Sequence, residues 1–202
     1  MLALAFAWVP LVSVASVRSD VGEILSRPLG LPLLQAGVNE VEELLGAGTA
    51  GDEEPFVCYV APRKHVFIRF LLDPYPRTNR RTSGFTMRTL SGATAAPCAV
   101  LGEEAEARVS FSVGGIELGM DRDEVVRLLG PGEESPDGRV FRYFTGPVAL
   151  SAEQRRFVPR TSRDAPDDGP VERTVVISAR FHDDKLAELS VMASWRMLAA
   201  AR

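Results

Sequence analysis

Histidine and cysteine are scarce in this sequence, two of each in 202 residues. That shortage limits the chemistry at once. No Cys or His pair stands at metal-ligand spacing, and Cys58 and Cys98 are too far apart for a C-x-x-C redox motif. The aspartates fall in loops and turns rather than in the regular ligand series of a calcium loop. No G-x-G-x-x-G or Walker pattern is present to cradle phosphate. A basic excess is also missing: 23 Lys and Arg against 27 Asp and Glu give a net charge of -4, without the field that attracts nucleic acid. The apolar run Leu2–Ala15 falls short of the roughly 20 residues needed to span a bilayer. These absences lead us to expect no metal, no cofactor, no nucleic acid, no small-molecule substrate and no integral membrane span.

What is present is a chain 46% hydrophobic and 25% charged, sufficient to bury a core. The run Leu2–Ala15 matches the apolar centre of an export signal, with small Ser13 and Ala15 at the cleavage positions, so residues 1–15 are expected to be removed on export. A buried N-terminal strand or helix is the other reading of that run. Cys58 and Cys98 form one disulfide in an oxidising compartment or remain two buried thiols, and the sequence leaves both open.

The clearest local signal is G-I-E-L-G-M-D-R-D-E-V-V-R-L-L-G-P-G, Gly115 to Gly132. Asp121 and Glu124 stand at capping-box spacing, Val125, Leu128 and Leu129 share a helical face, and Gly130-Pro131 stops the helix. Two turns are unstable alone, so this face must dock, most simply on a sheet. The segment Leu33 to Gly48 repeats the cassette 84 residues earlier, without a gap: Leu34 on Leu118, Glu40 on Glu124, Val41 on Val125, Leu44 and Leu45 on Leu128 and Leu129, Gly46 on Gly130. Gly37 takes the place of Asp121 at the cap.

Strand-like runs follow each cassette. In the first copy they are Phe56 to Val60, His65 to Leu72 and Gly84 to Leu90; in the second, Arg139 to Phe144, Thr174 to Phe181 and Leu186 to Trp195, the last two joined by a turn at His182 to Lys185. Residues Ser91 to Glu106 read as a connector, and Glu106 to Val113 as a strand with Val109, Phe111 and Val113 inward. Ser151 to Pro170 reads as a long polar loop. The expected fold class is α+β: two tandem related units, each with short helices packed on one face of an antiparallel sheet, divided as 16–102 and 103–202.

The motif L-G-M, a cap residue, Glu-Val, then L-L-G, followed by strands, resembles the SmpA/OmlA (BamE-like) domain of bacterial envelope proteins. The doubled arrangement resembles the β-lactamase inhibitor protein fold. This resemblance implies a non-enzymatic protein-protein interaction module, inhibitor-like or assembly-factor-like, in the periplasm or secreted space. A similar Gly-Met, Asp/Glu-Val, Leu-Leu-Gly pattern in toxin-immunity-like proteins makes a cytoplasmic binding protein the alternative.

Catalysis requires a convergent site, and Cys58 or Cys98 as thiol nucleophile with His65 as base is the remote candidate, while His182 sits at a hairpin turn where a solvated side chain is the default. The loops are richer in interface chemistry. Arg77, Arg80 and Arg81 with Tyr75 in the first copy, Arg156 in the second and Trp195 on the last strand are residue types that anchor interfaces, and they are the expected protein-binding positions.

Overall fold

The computed structural model describes residues 21–51, 55–73, 80–90, 97–156, 158 and 169–198. The expected export signal, Tyr75 and Arg77 lie outside the described residues. Residues 21–25 are helical. Helix α1, Val38–Leu45, buries Val41 and Leu45 and half-buries Leu44. Gly37 opens it by donating its N–H to Glu40 Oε2 at 3.0 Å, and Gly46 closes it with φ +88°, a backbone state that favours glycine. Strands β1 (Thr49–Ala50), β2 (Phe56–Ala61), β3 (Val66–Leu72) and β4 (Thr82–Thr89) follow. Strand β5 (Ala99–Val100) returns to pair in parallel with β2, where the Cys58–Cys98 disulfide fastens it with Cα atoms 5.2 Å apart.

Beyond β5 come helix α2 (Glu103–Arg108), the hairpin β6 (Ser112–Val113) and β7 (Ile116–Glu117), and helix α3 (Arg122–Leu129). Strands β8 (Glu133–Glu134) and β9 (Val140–Val148), helix α4 (Ala152–Arg155), and strands β10 (Val171–His182) and β11 (Lys185–Met197) complete the described chain. One nine-stranded sheet holds both halves, in the order β1-β2-β3-β4-β11-β10-β9-β8, with β5 beside β2. The seam is β4 against β11, antiparallel, with Phe85 opposite Val191 and Met87 opposite Leu189. The sheet therefore crosses the expected boundary at residues 102–103 without a break.

Both longer helices are tied to the sheet by the same backbone contacts. Val38 N–H donates to Arg80 C=O and Thr82 N–H to Ala36 C=O; Arg122 N–H donates to Asp184 C=O and Leu186 N–H to Met120 C=O. Gly37 bridges to Arg81 and Asp121 to Lys185. Each helix start is thus pinned to the first residues of the last strand of its own half. Val125 and Leu129 are buried and Leu128 half-buried, as are their counterparts in α1. A single contiguous core joins these helix residues to Phe70, Phe85, Met87, Ile177, Leu189 and Val191 of the sheet. The fully buried Tyr59 donates its hydroxyl to Gly46 C=O at 3.0 Å, closing the end of α1. Burial, with Glu42 nearby, pushes the Tyr59 phenol well above its ordinary value, so it stays protonated at working pH.

Several expectations are corrected. Glu106 to Val113 is not a strand: its first residues belong to α2, because G-E-E-A-E-A-R joins strong helix formers to acids in the first turn and Arg108 in the last. Of that span only Ser112–Val113 pairs as a strand, turning at Gly114-Gly115. Asp121 is the N-cap of α3, yet its carboxylate does not cap the helix; it pairs with Lys185 Nζ at 2.8 Å. Inside the supposed loop after residue 150, Ser151 and Gln154 form a true capping box around α4, with Ser151 Oγ accepting from Gln154 N–H and Gln154 Oε1 accepting from Ser151 N–H.

Candidate functional site

The helices and the contiguous core lie on one face of the sheet, and strand alternation decides what the other face carries. Register gives its rows. One runs Phe56, Leu71, Gly84, Met192, Val176, Tyr143 across β2, β3, β4, β11, β10 and β9. It is an apolar stripe perpendicular to the strands. Met192 is 42% and Tyr143 52% exposed, and Phe56, Leu71 and Val176 are half-buried; none of these five joins the core. The stripe is continuous at Gly84 because no side chain interrupts it: a Cβ there would stand 2.5 Å from Met192 Sδ and 3.1 Å from Leu71 Cδ1. Two exposed apolar side chains, Met192 and Tyr143, continued by half-buried ones and rimmed by polar groups, are the kind of surface that marks interaction sites.

The adjoining row runs Cys58, Arg69, Thr86, Ser190, Ser178, Phe141; its middle is polar, with the Thr86 and Ser190 hydroxyls hydrogen-bonded at 3.0 Å, and Cys58 and Thr86 in it are buried. The next row is Val60, Phe67, Arg88, Glu188, Arg180. Arg88 lies over the Phe67 ring at 4.4 Å and Arg69 over the Phe56 ring at 5.8 Å, so two guanidinium groups are held against aromatic faces. Glu188 sits between Arg88 and Arg180 in register, but its carboxylate is taken by Arg139 at 3.4 Å. Farther along, Arg196 pairs with Glu172. Among the described residues, Arg69, Arg88 and Arg180 have no carboxylate partner, and Arg69 Nε is buried without a hydrogen-bond acceptor.

The described members of the expected binding set, Arg80, Arg81, Arg156 and Trp195, are not part of this stripe. Trp195 is 6% exposed and part of the core, because residue 195 falls on the helix-covered side of β11. Arg81 has a structural use, donating from Nη1 to Leu34 C=O at 3.2 Å at a residue whose φ is +68°, and accepting at its own C=O from Asp73 N–H. Arg81 and Trp195 do line one depression, together with Leu34, Asp73 and Ser83. Arg80 is exposed beside the start of α1, and Arg156 is the exposed C-cap residue of α4. These two stand on loops away from the stripe.

Sequence reasoning missed Arg69, Arg88, Arg180, Met192 and Tyr143. The available signal was a cation inside an otherwise apolar strand, as in V-F-I-R-F-L-L, which marks a second face, the one that no described helix covers and that is called uncovered below in that sense.

The remaining chemistry is sparse. Both sulfurs are committed to the disulfide, so neither is a thiolate in the oxidised protein. His65 is an exposed turn residue with φ +53°, and His182 is 84% exposed in the β10–β11 turn. Among the described residues no group of three His, Cys, Asp or Glu is placed to hold a metal ion, and no helix is long and apolar enough to cross a membrane. Comparison with family models, curated proteins and solved structures finds no match to this chain.

Proposed function

We propose that the protein is a non-enzymatic protein-protein interaction module of the bacterial cell envelope or secreted space, made of two related units that join in one sheet and dock another protein on its uncovered face. The observation that carries this reading is the six-strand apolar stripe with its aromatic-backed arginines, the residue types that dominate interface energetics. Kinship of the units is supported by spacing. Helices α1 and α3, strands β1 and β8, and the starts of β2 and β9 are each displaced by the same 84 residues, and each half runs helix, two-residue strand, then three long strands. The mirrored strand order about the β4–β11 seam, with matching helix anchors, supports it further. A helix and strands in that order are also what the BamE-like resemblance implies. The disulfide favours an oxidising compartment.

Protein recovered from native cells is expected in the envelope or secreted fraction, without free thiol and in a complex larger than its own mass. Met192→Glu, which places a charge in the middle of the stripe, is expected to return it to its own mass. A reduced protein of unshifted mass in the cytoplasm would remove the reading.

A further inference from the structure

Charge on the uncovered face is one-sided. Of its carboxylates, Glu188 and Glu172 are each held by an arginine and Glu133 stands at the far β8 edge opposite Phe141, whereas Arg69, Arg88 and Arg180 have no acidic partner among the described residues. This occurs on a chain whose net charge is -4, so the cations are concentrated against the overall balance. Arg69 is the most telling of the three. Its Nε is buried with no acceptor, beside the Thr86 and Ser190 hydroxyls and close to the Phe56 ring, in surroundings where an unmet donor is costly. Arg88 is held over Phe67 and so loses little freedom on meeting an acceptor. Where the row of Arg88 and Arg180 reaches the sheet end, the surface sinks into a depression of about 530 Å³ rimmed also by His182 and Lys185.

We infer that this face recognises a protein segment that presents carboxylates to Arg69, Arg88 and Arg180 while its apolar side chains cover the Phe56–Tyr143 stripe. The inference rests on the docking reading above and adds the chemistry of the partner. Carboxylate matches the geometry because a guanidinium offers paired donors and the neighbouring hydroxyls can donate as well. A second copy of this chain is the poorer occupant, since the same face on both copies brings more arginines than free carboxylates to the contact. The arginines set orientation and encounter rate, and the stripe supplies the desolvated area.

The test is an amide NMR titration of the full oxidised chain with three short synthetic peptides, alternating Leu with Glu, with Gln or with Lys. The Leu-Glu peptide is expected to shift amides of β3, β4, β10 and β11 and to bind at least tenfold more tightly than the Leu-Gln peptide. The Leu-Lys peptide is expected not to bind. Combined Arg88→Gln and Arg180→Gln, both at exposed positions, should remove most of that preference, and adding Arg69→Gln the rest. Raising salt from about 0.05 to about 0.3 M should weaken the Leu-Glu peptide alone, because screening acts on exposed charge. Equal binding of the Glu and Gln peptides would overturn carboxylate recognition and leave apolar docking standing. Absence of any shift on this face with all three would overturn both.

Discussion

Replacing Phe85 by Ala is expected to lower the free energy of unfolding by about 3–5 kcal/mol, the range for deleting a buried phenyl ring. Phe85 is fully buried on β4, opposite Val191 of β11, with its ring 5.1 Å from that of Phe70 in an edge-on arrangement. It therefore supports the first half through Phe70 and the seam through Val191. A loss of that size is a large share of the total stability of a domain, about 5–15 kcal/mol. The distribution of the loss is the sharper part of the prediction. Because one core joins the halves, unfolding followed by Trp195 emission in β11, read in a Trp8→Phe background so that it is the sole indole, should move together with unfolding followed by far-ultraviolet circular dichroism, with and without Phe85→Ala alike. A Trp195 transition unchanged by Phe85→Ala would mean that the halves fold independently.

Removal of the disulfide has the second large effect. The Cys58–Cys98 bridge closes a loop with a sequence separation of 40, and the loop-entropy relation gives about 4 kcal/mol for a loop of that length. Its structural reach is local and strong. Strand β5 is held to β2 by only two residue pairs, Tyr59 with Ala99 and Val60 with Val100, so the bridge anchors the crossing from β4 to α2. The double variant Cys58→Ala, Cys98→Ala avoids burying a hydroxyl at the fully buried position 58 and is expected to lose about 2–4 kcal/mol in denaturant unfolding. Reduction of the parent protein should reproduce that loss. A change below about 1 kcal/mol would show that the unfolded chain gains little freedom on opening.

The legible parts of the fold were those written in short-range chemistry. Gly46 and Gly130 marked where helices stop, Val41-Leu45 and Val125-Leu129 marked the faces they bury, and Asp183-Asp184 marked the β10–β11 turn, where both residues take positive φ. Capping was less legible, because a carboxylate finds its partner in three dimensions: Asp121 stands at the N-cap, yet its carboxylate pairs with the Lys185 ammonium and not with a helix N–H. Helix α2 went unseen since Glu and Ala runs are also what connectors are made of. The seam could not be read at all. Pairing β4 with β11 joins residues about a hundred positions apart, and nothing in G-F-T-M-R-T-L names its neighbour.

The candidate site shows the same division. Loop arginines drew attention because they were clustered in sequence, whereas Arg69, Arg88 and Arg180 are scattered along the chain and meet only through sheet register. Trp195 misled for a related reason. Its strand carries apolar residues on both faces near Met192, and parity alone, without knowing which face the helices cover, does not separate the indole in the core from the thioether outside it.

Photo-cross-linking in native cells tests the docking face most directly. A photo-reactive residue at Met192, in the middle of the stripe, should yield one discrete covalent adduct with another protein, while the same residue at the exposed Glu43 of α1, on the helix-covered side, should yield none. Adducts at Glu43 without one at Met192, or none at either, would contradict docking on the uncovered face of the sheet.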